Sequence, residues 1–180
     1  MRRRATAPTR WAAPLLAPLL ALTLVLAGCS DSKDEELPPE VLPDVTLPRL
    51  QGTGSVDVST LRGPMVVPLF ANWCAPCRKE LPLFERLSQE HGDEVQVLGL
   101  NWSDPRRSKA LELLDDTGVT FDVIADPKGE TGEPPNQRIP ALPTIWMIDA
   151  DGTVTYRRPE AIKSYDELVA LVEEHLDVDL

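Results

Sequence analysis

The sequence predicts an α/β fold, because strand-like apolar runs alternate with segments of helical periodicity along most of the chain. The uninterrupted apolar run Met65–Phe70 is typical of a strand buried on both faces. Leu81, Phe84 and Leu87 follow at a spacing that indicates the apolar face of a helix. Near the C-terminus, Asp149–Gly152 is a strong turn signal between two further strand-like runs. This order of strands, helices and a hairpin describes one α/β domain.

The first predicted elements are two short strands, Val45–Leu50 and Ser55–Val58, joined by a glycine-rich turn. After the buried strand, the apolar periodicity predicts a helix over Ala75–His91. Pro76 falls in the first turn of this helix, where a missing N–H group has no cost. Pro82 falls inside the helix and predicts a kink there.

The remaining elements alternate in the same way up to a last helix that begins with a capping box, Ser164-x-x-Glu167. In chain order, the sequence predicts a strand over Glu94–Leu100, a helix over Pro105–Thr117 ended by Gly118, a strand over Phe121–Ala125, hairpin strands over Thr144–Ile148 and Thr153–Arg157, and a helix from Ser164 to about Leu176.

The N-terminus has the features of an export signal. Four arginines precede an apolar stretch from Trp11 to Ala27, and Cys29 follows directly after Leu-Ala-Gly. This arrangement resembles a bacterial lipobox, so we predict a lipoprotein signal peptide over residues 1–28 and lipid attachment at Cys29. The anchor would hold the protein at the extracytoplasmic face of the cell membrane. A plain signal peptide, or an uncleaved anchor helix, is the alternative reading of this segment.

The segment after Cys29 is acidic. Residues 29–43 are also proline-rich and predict an extended tether, whereas residues 44–180 have the size of a single domain. Four of the 18 basic side chains precede Cys29. The mature chain therefore has 14 basic and all 29 acidic side chains, which gives it a net charge of −15. This charge excludes nucleic acid as a partner. We expect the tethered domain to be monomeric.

Cys74 and Cys77 form a Cys-x-x-Cys pair at the junction between the buried strand and the predicted helix. At a helix N-terminus, the free N–H groups and the helix dipole favour the thiolate over the thiol. The pKa of a free cysteine, about 8.5, falls to about 3.5–7.5 at such positions. If Cys29 carries lipid, the pair holds the only free thiols, and it supplies a nucleophile for disulfides together with its resolving partner.

Four segments carry a family resemblance: Trp73–Cys77, Arg78–Pro82, Leu142-Pro143-Thr144 and the hairpin turn Asp149–Gly152. Together they resemble the thioredoxin superfamily, and within it the membrane-anchored thiol–disulfide oxidoreductases of the TlpA/ResA type. The resemblance extends from about Pro43 to the C-terminus. It implies a thioredoxin-like fold, with a mixed central sheet flanked by helices and an N-terminal β-hairpin.

The resemblance also assigns roles to residues of the site. It implies that Cys74 is the exposed attacking thiolate and that Cys77 is the recessed sulfur that resolves the mixed disulfide. Pro143 would match the family's cis-proline, whose loop with Leu142 faces the cysteines and pairs with an incoming peptide. Trp73 would flank this substrate-binding surface.

Glu80 matches an acidic residue that the resembled proteins place near their cysteine pair, where it shuttles protons. The alternative is an ordinary exposed helix glutamate. Two positions depart from the family pattern. Pro68 stands where many relatives have Asn or Asp and predicts a strand irregularity. In Asp126–Pro140, prolines replace a short helix and predict a long loop.

The resemblance implies an enzyme that reduces disulfides in exported proteins, such as apocytochrome c, with electrons from a membrane thiol donor. A disulfide-forming oxidase and a copper(I)-binding carrier are the alternatives. A structural zinc site is disfavoured because only His91 and His175 could complete its ligand set, at unsuitable spacings. No cofactor or metal is expected.

Overall fold

The computed structural model describes residues 40–180, which form a mixed sheet with three helices. The predicted signal peptide, Cys29 and the tether up to residue 39 lie outside the described residues. Within residues 40–180, no helix is long and apolar enough to cross a membrane. The elements are strands β1 (Glu40–Val41), β2 (Thr46–Pro48), β3 (Ser55–Asp57), β4 (Met65–Phe70), β5 (Gln96–Val97), β6 (Gly99–Trp102), β7 (Val123–Asp126), β8 (Thr144–Ile148) and β9 (Thr153–Arg158), and helices α1 (Ala75–His91), α2 (Arg107–Thr117) and α3 (Tyr165–Leu176).

The main sheet has the strand order β1-β9-β8-β4-β6-β7, and β5 pairs with β4 just before β6 begins. Strands β4, β6 and β7 run parallel, whereas β8 and β9 are antiparallel to their neighbours. The N-terminal strands β2 and β3 form a separate antiparallel hairpin. The predicted α/β class, mixed sheet and N-terminal hairpin are therefore confirmed.

Strand β4 lies at the centre of the sheet, and all six of its residues are buried. Its alternating side chains enter two hydrophobic clusters, because successive residues of a strand point to opposite faces. Val66 and Phe70 pack in one cluster with residues of all three helices, whereas Val67 and Leu69 pack in another with the N-terminal hairpin. A continuous apolar run was the correct signal for a strand covered on both faces.

Pro68 explains why the strand predicted over Glu94–Leu100 is divided into β5 and β6. The Val66 carbonyl accepts a hydrogen bond from the Leu98 N–H (3.1 Å) of the adjacent parallel segment. Pro68 follows Val66 by two residues, so its backbone groups face the same segment. Proline has no N–H to donate, and the ladder breaks beside it. On its other side Pro68 stays in register with Ile145 of β8. The expected irregularity therefore lies on the parallel side of β4.

One domain boundary and one loop differ from the sequence prediction. Strand β1 pairs with Val154 and Thr153 of β9, and Leu42 is buried, so the folded domain includes residues that we assigned to the tether up to residue 43. The loop Asp126–Pro140 was expected to contain no helix, which is wrong for its first part. A 3₁₀ turn forms at Glu130–Gly132, between Pro127 and Pro134, because the Asp126 carboxylate accepts the backbone N–H groups of Glu130 (2.8 Å) and Thr131 (2.9 Å).

Helix α1 is anchored to the segment before β7 by a buried carboxylate, Glu85. Its oxygens accept hydrogen bonds from the Thr120 N–H (2.6 Å), the Thr120 hydroxyl (2.6 Å) and the Gln89 amide (2.7 Å), with a longer bond from the Phe121 N–H (3.4 Å). Burial alone would raise the pKa of Glu85, but the bonds from Thr120, Gln89 and Phe121 together hold it below its usual value. The site therefore binds the ionised carboxylate.

We expect Glu85→Gln to lower the free energy of unfolding by about 1–3 kcal/mol at pH 7, because an amide cannot accept all of these donors. The folded pKa is depressed, so the carboxylate stabilises the protein above its unfolded pKa and loses that effect as the pH falls through the folded pKa. Urea unfolding at pH 7 and pH 4 checks this: the gap between variant and wild type should shrink at pH 4. An equal gap at both pH values would contradict it.

Candidate active site

Cys74 and Cys77 are joined by a disulfide at the N-terminus of α1, with an S–S distance of 2.00 Å. Cys74 is the N-cap of the helix, and its sulfur accepts the Cys77 N–H (3.3 Å). This N–H is one of the donors that a helix leaves free in its first turn. The sequence order of buried strand, short turn and helix with Pro76 in its first turn therefore places the first sulfur at the positive end of the helix dipole.

The two sulfurs are less different in exposure than expected. Cys74 is 4% exposed and Cys77 is 1% exposed, so the residue expected to attack is the more accessible one but is not an exposed residue. Both belong to the cluster that contains the helices, and Leu142 packs against that cluster. In the disulfide form, the pair is thus almost covered by its own surroundings.

The structure brings the Leu142–Pro143 loop beside the cysteines. Strand β8 pairs with β4 so that Thr144 is opposite Leu69, which places the two preceding residues next to the segment leading to Cys74. The Leu142–Pro143 peptide bond is cis, as the resemblance implied, and Pro143 is buried.

Trp73 is the exposed aromatic residue at this surface, with 52% of its area accessible. Its indole N–H donates to the Ser103 carbonyl (3.3 Å), which fixes the ring in the segment immediately before Cys74. Large exposed aromatic side chains beside a reactive group are suited to contact with a partner chain.

Glu80 is buried, not an ordinary exposed helix residue. It lies three residues after Cys77 and therefore on the same side of α1, is 4% exposed, and accepts a hydrogen bond from the Ile162 N–H (3.2 Å). Burial raises the pKa of Glu80 from 4.5 to about 7; the bond from Ile162 opposes this increase, and the negative charge of Glu167 adds to it. A carboxyl with this pKa both accepts and releases a proton near neutral pH.

A cavity of about 480 Å³ opens on the α1 side of the disulfide. Its lining includes the two residues between the cysteines and two lysines, and it reaches Ile162, whose N–H binds Glu80. The cavity is lined by Ala75, Pro76, Lys79, Leu83, Ala161, Ile162 and Lys163.

A polar cluster surrounds Asp104 and was not predicted from the sequence. This carboxylate is 2% exposed and binds the backbone and side chain of Asn72, two residues before Cys74. It also accepts the Asn101 amide (3.1 Å), and that amide reaches the Phe70 carbonyl as well (3.4 Å). Asn101 lies on β6, so a polar residue inside a buried strand was the available sequence signal.

Within residues 40–180, no group of three or more histidine, cysteine, aspartate or glutamate side chains is arranged to hold a metal ion. The chemistry that the site supports is that of the sulfurs themselves. A Cys-x-x-Cys disulfide at a helix N-terminus, beside a cis-proline loop on a mixed sheet, defines a thioredoxin-like thiol–disulfide oxidoreductase.

The chain belongs to the AhpC/TSA family, whose model matches residues 39–157. It is 30% identical over 151 residues to the thiol:disulfide interchange protein DsbE of Xylella fastidiosa, covering 82% of this chain and 74% of that protein. It is 29% identical over 114 residues to the thioredoxin-like protein YneN of Bacillus subtilis, covering 62% of this chain and 65% of YneN.

A solved structure supports the fold. The secreted Mycobacterium tuberculosis disulfide oxidoreductase homologous to E. coli DsbE superimposes with a TM-score of 0.62 at 23% identity, over 73% of this chain and 96% of that one.

Proposed function

We propose that the protein reduces disulfide bonds in exported proteins, with apocytochrome c as one client class, through the Cys74–Cys77 dithiol. The observation that carries the proposal is the disulfide at the N-terminus of α1, with the Cys77 N–H directed at the Cys74 sulfur. The similarity to thiol:disulfide interchange proteins named DsbE and CycY supports thiol–disulfide exchange as the chemistry of the pair.

In the proposed cycle, the Cys74 thiolate attacks one sulfur of a client disulfide. A mixed disulfide forms between Cys74 and the client, and the other client sulfur leaves as a thiolate. Cys77 then loses its proton and attacks the Cys74 sulfur, which closes the Cys74–Cys77 disulfide and releases the second client thiolate. Two electrons pass to the client, and a membrane thiol donor returns two electrons to the pair.

Glu80 is the proposed acceptor of the Cys77 proton. It follows Cys77 by three residues on the same helix and has a pKa of about 7, so a large fraction is ionised at neutral pH. Pro68, at the position where the resemblance implies a carboxylate or amide, cannot exchange a proton, and Glu80 is the buried carboxyl of α1 nearest in sequence to the pair.

The client is proposed to lie across Trp73 and the Leu142–Pro143 loop, which adjoin the sulfurs on the same surface. Residues 1–28 as a signal peptide, lipid at Cys29 and a tether leading to the domain would keep this surface at the extracytoplasmic face of the membrane. The mature protein would act as a monomer.

The reduction potential tests the proposed direction. We expect the mature protein, equilibrated with reduced and oxidised glutathione, to have a potential below about −200 mV, in the range of glutaredoxins and thioredoxin. The dithiol fraction is measured by alkylation and mass spectrometry. A potential near about −120 mV, the value typical of a strong oxidant, would replace the reductase with the oxidase alternative.

A Cys77→Ser variant identifies the clients. Without the resolving sulfur, mixed disulfides on Cys74 persist and can be recovered from the cell envelope under non-reducing conditions. A variant that lacks both Cys74 and Cys77 is the matched control and should capture nothing. If Cys77→Ser captures no client while the wild type binds copper(I) tightly through both thiols, the carrier function would replace the proposed one.

A further inference from the structure

The turn that precedes Cys74 is held by a single loop from the neighbouring strand. The Cys74 N–H binds the Ala71 carbonyl (3.0 Å), so Asn72 and Trp73 are the central residues of this turn. Both are tied to consecutive residues after β6: the Asn72 N–H donates to Asp104 (2.7 Å), and the Trp73 indole donates to the Ser103 carbonyl (3.3 Å). The position of the attacking sulfur is therefore fixed from outside its own helix.

Asp104 is surrounded by donors. Its carboxylate accepts the backbone N–H and side-chain amide of Asn72, the Asn101 amide (3.1 Å) and the Arg106 N–H (3.2 Å). Only a deprotonated carboxylate can accept all four, since a protonated acid or an amide would turn a donor of its own toward one of them. Burial alone would raise the pKa of Asp104, but these bonds hold it below its usual value.

We propose that Asp104 is a positioning residue for Cys74: it fixes the turn that delivers the sulfur and keeps a permanent negative charge behind that turn. A nearby negative charge disfavours a thiolate, so it raises the pKa of the Cys74 thiol and makes the dithiol a stronger electron donor. The inference rests on the proposed reductase function and deepens it, because a reducing couple is what that function requires.

Other charged groups near the pair lie on α1, in the segment before α3 and on α3: Lys163 lines the same cavity as Ala75 and Pro76, and the negative charge of Glu167 acts on Glu80. Lys79 and Glu80 lie within one turn of Cys77, and Arg78 is engaged by Asp116 of α2 (2.9 Å). These groups stay unchanged in the variants chosen below, so a change in the sulfur chemistry reports on Asp104.

Asp104→Asn tests the charge. Asparagine has nearly the same shape as aspartate but carries no charge. Its NH₂ group would also face some of the N–H donors that bind Asp104. We expect the equilibrium constant with glutathione to change at least tenfold toward the dithiol, about 30 mV in the oxidising direction. We also expect the Cys74 thiol to ionise at lower pH, which absorbance of the thiolate at 240 nm measures. Asp115→Asn, an exposed carboxylate of α2 with the same formal charge, is the control and should leave both quantities unchanged.

Asn72→Ala tests the positioning and does not rely on the stability of the Asp104 variant. It deletes one side-chain bond to Asp104 but keeps the backbone bond and the charge. We expect the rate at which reduced Cys74 attacks a disulfide peptide to fall about tenfold, whereas the equilibrium with glutathione stays unchanged. Asp104→Glu, which keeps the charge, should stay closer to the wild-type equilibrium than Asp104→Asn.

The inference is overturned if Asp104→Asn matches wild type in both the equilibrium and the thiol titration, or if Asn72→Ala retains the wild-type rate. These outcomes are independent of the absolute potential that tests the reductase proposal. If the wild type has an oxidising potential and the glutathione equilibrium of Asp104→Asn still differs from it, the reductase proposal is rejected but the role of Asp104 is retained.

Discussion

Replacing Cys74 with serine is expected to reduce the rate of insulin disulfide reduction to that of the buffer without enzyme. The Cys74 sulfur is the N-cap atom that accepts the Cys77 N–H, and Cys74 is the more accessible residue of the pair. A serine hydroxyl at this position is not ionised at neutral pH and cannot form the mixed disulfide. Turbidity of insulin in the presence of dithiothreitol measures the loss.

The control for this experiment is Cys77→Ser, which should lose turnover but still form one mixed disulfide per molecule. Both variants are best made with Cys29 also replaced, so that no third thiol substitutes for the missing one. Full activity in the Cys74→Ser variant would contradict a catalytic cycle that needs Cys74. A mixed disulfide formed by Cys74→Ser but not by Cys77→Ser would reverse the assigned roles.

The elements next to the cysteines could be predicted from the sequence because their signals are local. Strand β4 is an unbroken apolar run, and α1 has the predicted bounds Ala75–His91, with a capping cysteine and Pro76 at its start. Helix α2 ends where predicted because Gly118 adopts the left-handed conformation that closes a helix, with φ of 70°. Within each of these segments, neighbouring residues carry most of the information.

The remaining features depend on residues far apart in the sequence. Asp104 binds Asn72 across 32 positions, and Glu80 binds the Ile162 N–H across 82. The two-residue strand β1 has no periodicity of its own and is defined by its pairing with β9. Asn101 inside a buried strand was a local signal for a polar partner, but a single sequence does not identify that partner. The burial of Glu80 and the contacts of Asp104 therefore required the structure.

Glu80→Gln is expected to make the oxidised protein more stable than wild type at alkaline pH by up to about 3 kcal/mol. The pKa of Glu80 is about 7 in the folded protein against an ordinary value of 4.5. Between these values the folded state holds a proton that the unfolded chain has released. The contribution of Glu80 to the free energy of unfolding is therefore fully present below pH 4.5 and is lost as the pH rises through 7. Glutamine stays uncharged, so the variant lacks this loss, while its side-chain oxygen still accepts the Ile162 N–H.

Urea unfolding of the disulfide form between pH 4.5 and pH 9, without reductant, checks this prediction. The two proteins should have similar stability at pH 4.5, separate progressively between about pH 5 and pH 7, and keep a constant difference at more alkaline pH. Glu85→Gln is the matched control, because it makes the same chemical change on the same helix at a carboxylate whose pKa is lowered. That variant should be less stable than wild type at neutral pH, so the two substitutions change the free energy of unfolding in opposite directions. Parallel pH profiles for Glu80→Gln and wild type would mean that Glu80 is ionised throughout this range, and it could not then receive the Cys77 proton as proposed.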